Sequence, residues 1–330
     1  MNKRSWMVIG SNSFSGASFI RCLLDHGIAV TAVSRSAEYP RCYLPYRWQT
    51  NENVAFHQLD LNQGTAAIVQ LIKERRITHI INFAAMGMVA ESWLYPVDYY
   101  TTNVVANVKL HEELRKIPHI ERYVHISTPE VYGNTEGMVM EDAPLNPSTP
   151  YAVSRAACDL HLRSLHENYG FPVVWTRAAN VYGPGQQPYR ILPRTVLCAK
   201  LGMRLKLHGG GQSVRSFIHI RDVAAATYRI ATAGKIGSVY HLSTERFISI
   251  AELVGLICAQ LGITATDIVD IAEERPGKDH AYFLESSRIR QELGWSDSIR
   301  LEDGIRETIE WVDRWLPDIR QHPLDYQHKA

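Results

Sequence analysis

Cysteine is scarce in this chain, and what there is does not pair. Five cysteines in 330 residues (Cys22, Cys42, Cys158, Cys198, Cys258) lie far apart, with no C-x-x-C motif among them. An odd, scattered set argues against a disulfide framework or a zinc site and suits a reducing cytosol, so a cytoplasmic location is expected. Excess charge is missing too. Thirty-five Lys+Arg against 34 Asp+Glu leave a net charge of +1, without the basic block that nucleic acid or an anionic membrane surface calls for. No apolar run approaches the length of a membrane span. The opening residues, Met1-Asn-Lys-Arg-Ser-Trp-Met-Val-Ile-Gly10, pass straight into a strand, where a signal peptide would need a longer apolar region. Repeats and low-complexity segments are lacking. His161, His208, His219 and His280 share no spacing, which points to structural or surface roles and to no metal site. What is present is 45% apolar residues, enough for one large core or two coupled ones.

Taken in order, Trp6 to Gly10 reads as a first strand and Ala17 to about His26 as an amphipathic helix. Between them, Gly10-Ser-Asn-Ser-Phe-Ser-Gly16 has two glycines bracketing a tight turn, with Ser13 where a middle glycine would stand. Free N–H groups and the positive end of a helix suit a pyrophosphate, so Gly10, Asn12, Ser13, Phe14 and Gly16 are candidate dinucleotide ligands. The second strand (28–33) ends in Ser34-Arg35-Ser36. An acid there would bind the ribose hydroxyls of NAD; a cation flanked by hydroxyls suits the extra phosphate of NADP, which is therefore favoured over NAD. Asp60 and Leu61, after a third strand (54–59), are placed to frame an adenine. The fourth strand (77–85) ends in Ala84 and Ala85, small enough for a cofactor to approach. A helical stretch from Pro96 to Lys116 contains Asn103, and further strands are expected at about 123–126 and 171–176. Strands alternating with helices at this spacing predict an α/β fold, a parallel, doubly wound sheet.

The chemistry gathers in two stretches, Ser127-Thr-Pro-Glu-Val-Tyr-Gly133 and Thr149-Pro-Tyr-Ala-Val-Ser-Arg155. Thr149 is a good N-cap and Pro150 a good first helical residue. Tyr151 and Arg155 therefore fall on one helical face, one turn apart. A fixed cation beside a phenol lowers its pKa, which makes Tyr151 a candidate general base. Ser127, Thr128 and Glu130 follow a strand, where open α/β sheets bind ligands. Beyond Arg177 the texture turns loop-rich, and Arg190, Arg194 and Arg215 are spaced so that, if they converge, they suit a diphosphate.

These motifs, in this order over nearly the whole chain, resemble the extended short-chain dehydrogenase/reductases that act on nucleotide-sugars. The resemblance is carried by the glycine turn, Asn82-Phe-Ala-Ala, Ser92-Trp with Pro96 and Asn103, Ser127-Thr-Pro-Glu-Val-Tyr-Gly and Tyr151-x-x-x-Arg155. Asn180-Val-Tyr-Gly-Pro-Gly, Arg215-Ser-Phe-Ile-His-Ile-Arg-Asp and Arg275-Pro-Gly-Lys-Asp extend it. The pattern is similar to dTDP-glucose and GDP-mannose 4,6-dehydratases. It implies a Rossmann-type sheet with a smaller mixed α/β substrate-binding domain. Residues 1–178 would be mainly dinucleotide-binding and 179–330 mainly nucleotide-sugar-binding, with about 215–235 returning to the first domain. It implies a nucleotide-sugar held by Met86, Ser127, Asn180, Arg190, Arg194, Arg215, Arg275 and His280, and a homodimer through helices at about 98–116 and 151–169.

Two residues depart from the family's pattern. Arg155 stands where the family has lysine; the charge is kept but the geometry differs. Pro129 stands where the dTDP-glucose enzymes carry an aspartate, and proline cannot transfer a proton. The GDP-mannose type also lacks that aspartate and relies on glutamate. The resemblance thus implies a 4,6-dehydratase in which Tyr151 and Arg155 oxidise C4 with Thr128, Ser127 also being placed to orient the hydroxyl. Glu130, its pKa raised by burial, would remove the C5 proton and protonate the departing 6-hydroxyl. A 4-epimerase, a uronate decarboxylase and a non-catalytic nucleotide-sugar sensor remain the alternatives.

Overall fold

The computed structural model describes residues 4–50, 53–135, 137–273 and 283–329. Arg275 and His280 therefore lie outside the described residues. A seven-stranded parallel sheet organises the chain, built from β1 (Trp6–Ile9), β2 (Val30–Ser34), β3 (Val54–Gln58), β4 (His79–Asn82), β5 (Arg122–Ile126), β6 (Val173–Ala178) and β7 (Val239–Leu242). Their order across the sheet is β7-β6-β5-β4-β1-β2-β3, with Trp6 opposite both Val30 and His79, and Tyr123 opposite Val173. Among the described residues eight helices have eight residues or more. They are α1 (Phe14–Asp25), α2 (Thr65–Glu74), α3 (Asn107–Leu114), α4 (Pro150–Tyr169), α5 (Ile191–Leu201), α6 (Ile220–Ala233), α7 (Ile250–Gln260) and α8 (Leu301–Ile319).

The strands are short continuous apolar runs because both faces of the sheet are covered. Along β1 the side chains alternate between two cores. Trp6 and Val8 join Phe19, Leu23 and Ile230 beneath α1 and α6, while Met7 and Ile9 join Ile72, Leu110 and Leu162 beneath α2, α3 and α4. The seventh strand is a difference from the sequence reading, which stops at six. Val239-Tyr-His-Leu is only four residues long and earns its strand geometry by lying parallel to β6, Val239 opposite Trp175. A third core, including Leu192, Leu253, Ile305 and Trp311, ties α5, α7 and α8 together above the carboxyl ends of the strands. The stretch expected to be one helix from Pro96 to Lys116 is α-helical at Pro96–Tyr100 and Asn107–Leu114, but Thr101–Ala106 between them has π-type turns. No helix among the described residues is long and apolar enough to cross a membrane.

Candidate active site

The carboxyl ends of the strands and the α5–α8 layer enclose a cleft of about 1470 Å³. Nearly all the described candidate residues line it. On the sheet side stand Gly10, Asn12, Ser13, Phe14, Ser34, Arg35, Asp60, Leu61, Ala84, Ala85 and Met86. Ser127, Thr128, Glu130, Tyr151 and Arg155 form the floor, and Asn180, Arg190, Arg194 and Arg215 stand opposite.

Gly16 and Asn103 stand just behind this lining, and each has a structural task of its own there. A Cβ on Gly16 would meet the Gly10 carbonyl oxygen at 2.3 Å, so this glycine lets the turn close on itself. Asn103 is fully buried within the π turns. Its Oδ1 accepts from Met86 N at 2.9 Å, and its Nδ2 donates to Ser154 Oγ at 2.9 Å. It therefore clamps the loop after β4 to α4, and the π turn aims its side chain there.

The glycine turn is built from backbone. Gly10 has φ +85°, and a Cβ there would lie 2.6 Å from Ala84 N. Ser13 caps α1, its Oγ accepting from Gly16 N at 3.0 Å and donating to Gly10 O at 2.7 Å. A serine in place of the middle glycine thus stabilises the turn instead of opening it. The Asn12 amide donates to the Ala37 carbonyl at 2.8 Å and pins the loop after β2, where Arg35 stands.

Across the floor, Thr149 caps α4 by accepting from Ala152 N at 3.1 Å, and Pro150 is the first helical residue. Tyr151 and Arg155 face the cleft from this first turn and a half. Thr128 hydrogen-bonds the Tyr151 phenol, and Glu130 and Arg190 are close enough to bias its charge. Arg155 does pull the phenol's pKa down, as expected, but the net shift is upward. Burial raises it, and this outweighs the opposing pull of Arg155, Thr128 and Arg190. Pro129 opens the single turn Pro129–Tyr132 after Thr128, a position where an N–H would have no helical partner.

Arg155 is 2% exposed. Its Nη2 donates to the Ile126 carbonyl and to His125 Nε2, the latter at 3.1 Å. His125 accepts because burial first, then Arg155 and Arg177, hold its pKa well below the usual value. Nη1 of the same guanidinium is buried at the cleft with no hydrogen-bond partner among the described residues. An unanswered cationic donor there, above a backbone cradle that a Cβ would fill, fits the ribose and phosphates of a nicotinamide dinucleotide.

Sequence reasoning missed the layer beneath the floor. Asp159 is 3% exposed and accepts from Ser127 Oγ at 2.7 Å and from Arg177 Nη2 at 2.8 Å. Arg177 also donates to the Tyr132 hydroxyl, which pairs with His241 Nε2 at 2.7 Å. Ser127 therefore spends its proton on Asp159, and Thr128 is left as the hydroxyl bonded to Tyr151. A signal existed: Tyr151, Arg155 and Asp159 are spaced i, i+4, i+8 on one helical face.

Known proteins resemble this chain in sequence and fold. The model of the family described as GDP-mannose 4,6 dehydratase matches residues 7–308. A dTDP-glucose 4,6-dehydratase of Xanthomonas campestris pv. campestris is 30% identical over 325 residues, 93% of this chain and 92% of that protein. A trifunctional UDP-glucose 4,6-dehydratase/UDP-4-keto-6-deoxy-D-glucose 3,5-epimerase/UDP-4-keto-L-rhamnose-reductase of Arabidopsis thaliana is 31% identical over 277 residues, 82% of this chain and 41% of that protein. Among solved structures, DesIV, a dTDP-glucose 4,6-dehydratase from Streptomyces venezuelae with NAD bound, superposes with a TM-score of 0.87 at 29% identity. That match covers 94% of this chain and 97% of the other.

Proposed function

Since the chain belongs to the GDP-mannose 4,6-dehydratase family, we propose that it is a nicotinamide-dependent nucleotide-sugar 4,6-dehydratase forming a 4-keto-6-deoxy sugar. The observation that carries this is the convergence of Thr128, Glu130, Tyr151 and Arg155 on one floor, with the glycine turn on one side and Arg190, Arg194 and Arg215 on the other. In this reading residues 1–178 chiefly hold the dinucleotide and 179–330 chiefly the nucleotide-sugar. A nicotinamide bound between the glycine turn and Arg155 would supply the hydride chemistry that links sugar C4 to C6. Tyr151 receives the proton of the 4-hydroxyl, which Thr128 orients. Because the 4-oxygen stays a ketone, one proton is returned to C5, not to that oxygen, when the hydride reaches C6, and the phenol is restored. Arg155 holds its place through His125 and Ile126 and offers Nη1 to the ribose. Glu130 removes the C5 proton, acidified by the 4-ketone, and protonates the departing 6-hydroxyl, so that one water leaves and no net oxidation occurs. The absent aspartate at Pro129 leaves Glu130 to carry both proton transfers. The three arginines supply cations for a diphosphate.

Arg35 between two serines supports NADP, although DesIV was solved with NAD; paired binding titrations with the two dinucleotides decide it. Trp93, Val97, Val105 and Leu160 are 54%, 72%, 47% and 52% exposed. They leave an apolar face along the 89–114 helices and α4, which supports a homodimer.

The test is a panel of GDP-, dTDP-, UDP- and CDP-sugars with products read by mass spectrometry. Loss of one water from one substrate, without consumption of added cofactor, is expected, and unchanged masses across the panel count against dehydration. Glu130→Gln should still reduce bound nicotinamide but release no water. If it dehydrates at the wild-type rate, Glu130 is not the C5 base. An epimerase would be nearly indifferent to this change.

A further inference from the structure

After α8 the chain does not stop at the helical layer. Residues 320–329 leave it through a turn at 320–321 and then without helix or strand, and burial alternates along them: His322, Leu324, Tyr326 and His328 are half-buried, whereas the odd-numbered residues from 321 to 329 are exposed. A period of two means that one edge of the segment is fitted against the protein. His322, Pro323, Asp325, Tyr326, Gln327 and Lys329 line the same cleft as the catalytic floor.

The contacts run from one bank to the other. Beside α5, Arg194 donates to the Leu324 carbonyl at 3.2 Å and pairs with Asp325 at 3.0 Å, and Tyr326 meets Tyr189 edge-on at 5.3 Å between centroids. On the sheet side, His328 stacks on Tyr95 at 3.9 Å and reaches Asp98 Oδ2 at 2.8 Å. Farther along, Arg35 Nη2 donates to the Lys329 carbonyl at 3.0 Å, and the Lys329 ammonium lies 5.7 Å from the Tyr39 ring. Beneath the strap, the Tyr99 hydroxyl, which donates to the Met88 carbonyl at 2.5 Å, lies beside the Tyr326 phenol, and the Tyr99 ring packs edge-on against Tyr151 at 6.3 Å. The segment thus touches the arginine at the adenosine end, an arginine of the opposite bank, and the packing partner of the catalytic tyrosine.

We propose that residues 325–329 are a releasable strap that closes this cleft over the nicotinamide dinucleotide and retains it between the two hydride transfers. The inference rests on the dinucleotide reading above. Leu324 is anchored against the α5–α8 core, whereas the described contacts beyond it are ring stacking, a cation–ring contact, hydrogen bonds at His328 and Lys329, and one ion pair, Arg194–Asp325, that is open to water. Asp325 is 85% exposed in its pair. Such contacts are individually weak and break locally without unfolding the core. A cofactor that must be reoxidised on the same molecule has to stay put while the sugar reacts, and a closing segment does this by slowing escape.

The test reads retention, not turnover. Wild type, a variant ending at Leu324 and the full-length Tyr326→Ala/His328→Ala variant are loaded with NAD or NADP. Release is then followed on dilution into a competing dinucleotide, with circular dichroism to show that each variant folds. Release from both variants should be at least about tenfold faster than from wild type, since affinity differences of this kind reside in the off-rate. Hydrogen exchange at 325–329 in wild type should slow when dinucleotide is added. Equal release rates, or exchange indifferent to dinucleotide, overturn the strap even if the sugar panel yields dehydration. Faster release from the variants with an inert sugar panel upholds the strap and overturns the dehydratase reading instead. A wild type that binds neither dinucleotide overturns both.

Discussion

The same pair of residue types, arginine with aspartate, occurs beneath the floor of the cleft and on its rim, and the two pairs are held by different physics. Arg177 and Asp159 are 1% and 3% exposed at 2.8 Å; Arg194 and Asp325 are 21% and 85% exposed at 3.0 Å. The lengths barely differ. Burial decides what each pair does. Below the floor, two charges removed from water must be answered completely, so Ser127, Tyr132 and His241 are drawn into the same network. On the rim, water answers the charges and the pair can open and close at little cost. The contrast suits a site whose catalytic groups must not move and whose cover must.

The largest effect that could break the contrast lies at Asp159. Asp159→Ala leaves Arg177 buried and unanswered and should destabilise the protein by about 3–5 kcal/mol in a denaturant titration. Replacing both partners with apolar residues of similar volume should recover much of that loss. If Asp159→Ala alone is nearly neutral, the buried network is not a structural unit.

The next effect is pH-dependent. Burial holds His241 down to about 3, with Arg177 and Arg288 adding to the shift and carbonyl contacts opposing it. Burial likewise lowers His219 to about 3 and His79 to about 4. A histidine depressed in the folded state takes up its proton mainly on unfolding, so its cost appears as pH falls below the ordinary value near 6.5. Stability should therefore be greatest above about pH 7 and decline between about 6.5 and 4, by about 1.4 kcal/mol per pH unit for each such histidine. His241→Gln should make the acid limb shallower by about one proton. A slope unchanged by that replacement would show that His241 is not kept neutral.

The smallest effect belongs to the rim. Asp325→Asn should change stability by no more than about 1 kcal/mol, and that difference should fade at about 1 M salt. A loss comparable to that of Asp159→Ala would erase the distinction between floor and rim.

Much of the sheet was legible because its signals are local. The apolar runs of β1 to β6, the glycine turn, and the Thr149-Pro150 start of α4 each state their geometry within a few residues. Tyr151 and Arg155 shared a face by helical spacing alone. The strand Val239–Leu242 was not legible, because four residues without a strong pattern become a strand only beside β6. Asn103 stands out by its position in the chain, but that it ties Met86 to Ser154 is visible only once the π turns are in place. The phenol's pKa was misjudged for a similar reason: spacing reveals the cation one turn away but not the desolvation that outweighs it. Along residues 322–329 the alternation is plain once burial is known, but His-Pro-Leu-Asp-Tyr-Gln-His-Lys reads as a polar tail without it.

By itself the sequence determined the α/β class, the positions of the strand ends, and the residue types able to move a proton or hold a phosphate. Those follow from backbone propensities and side-chain chemistry acting over one or two turns. Tertiary structure alone decided which of those groups meet, which are desolvated, and which end as supports. Burial and convergence depend on residues far apart in the chain, such as Ser127 with Asp159, Tyr132 with His241, and Arg35 with Lys329.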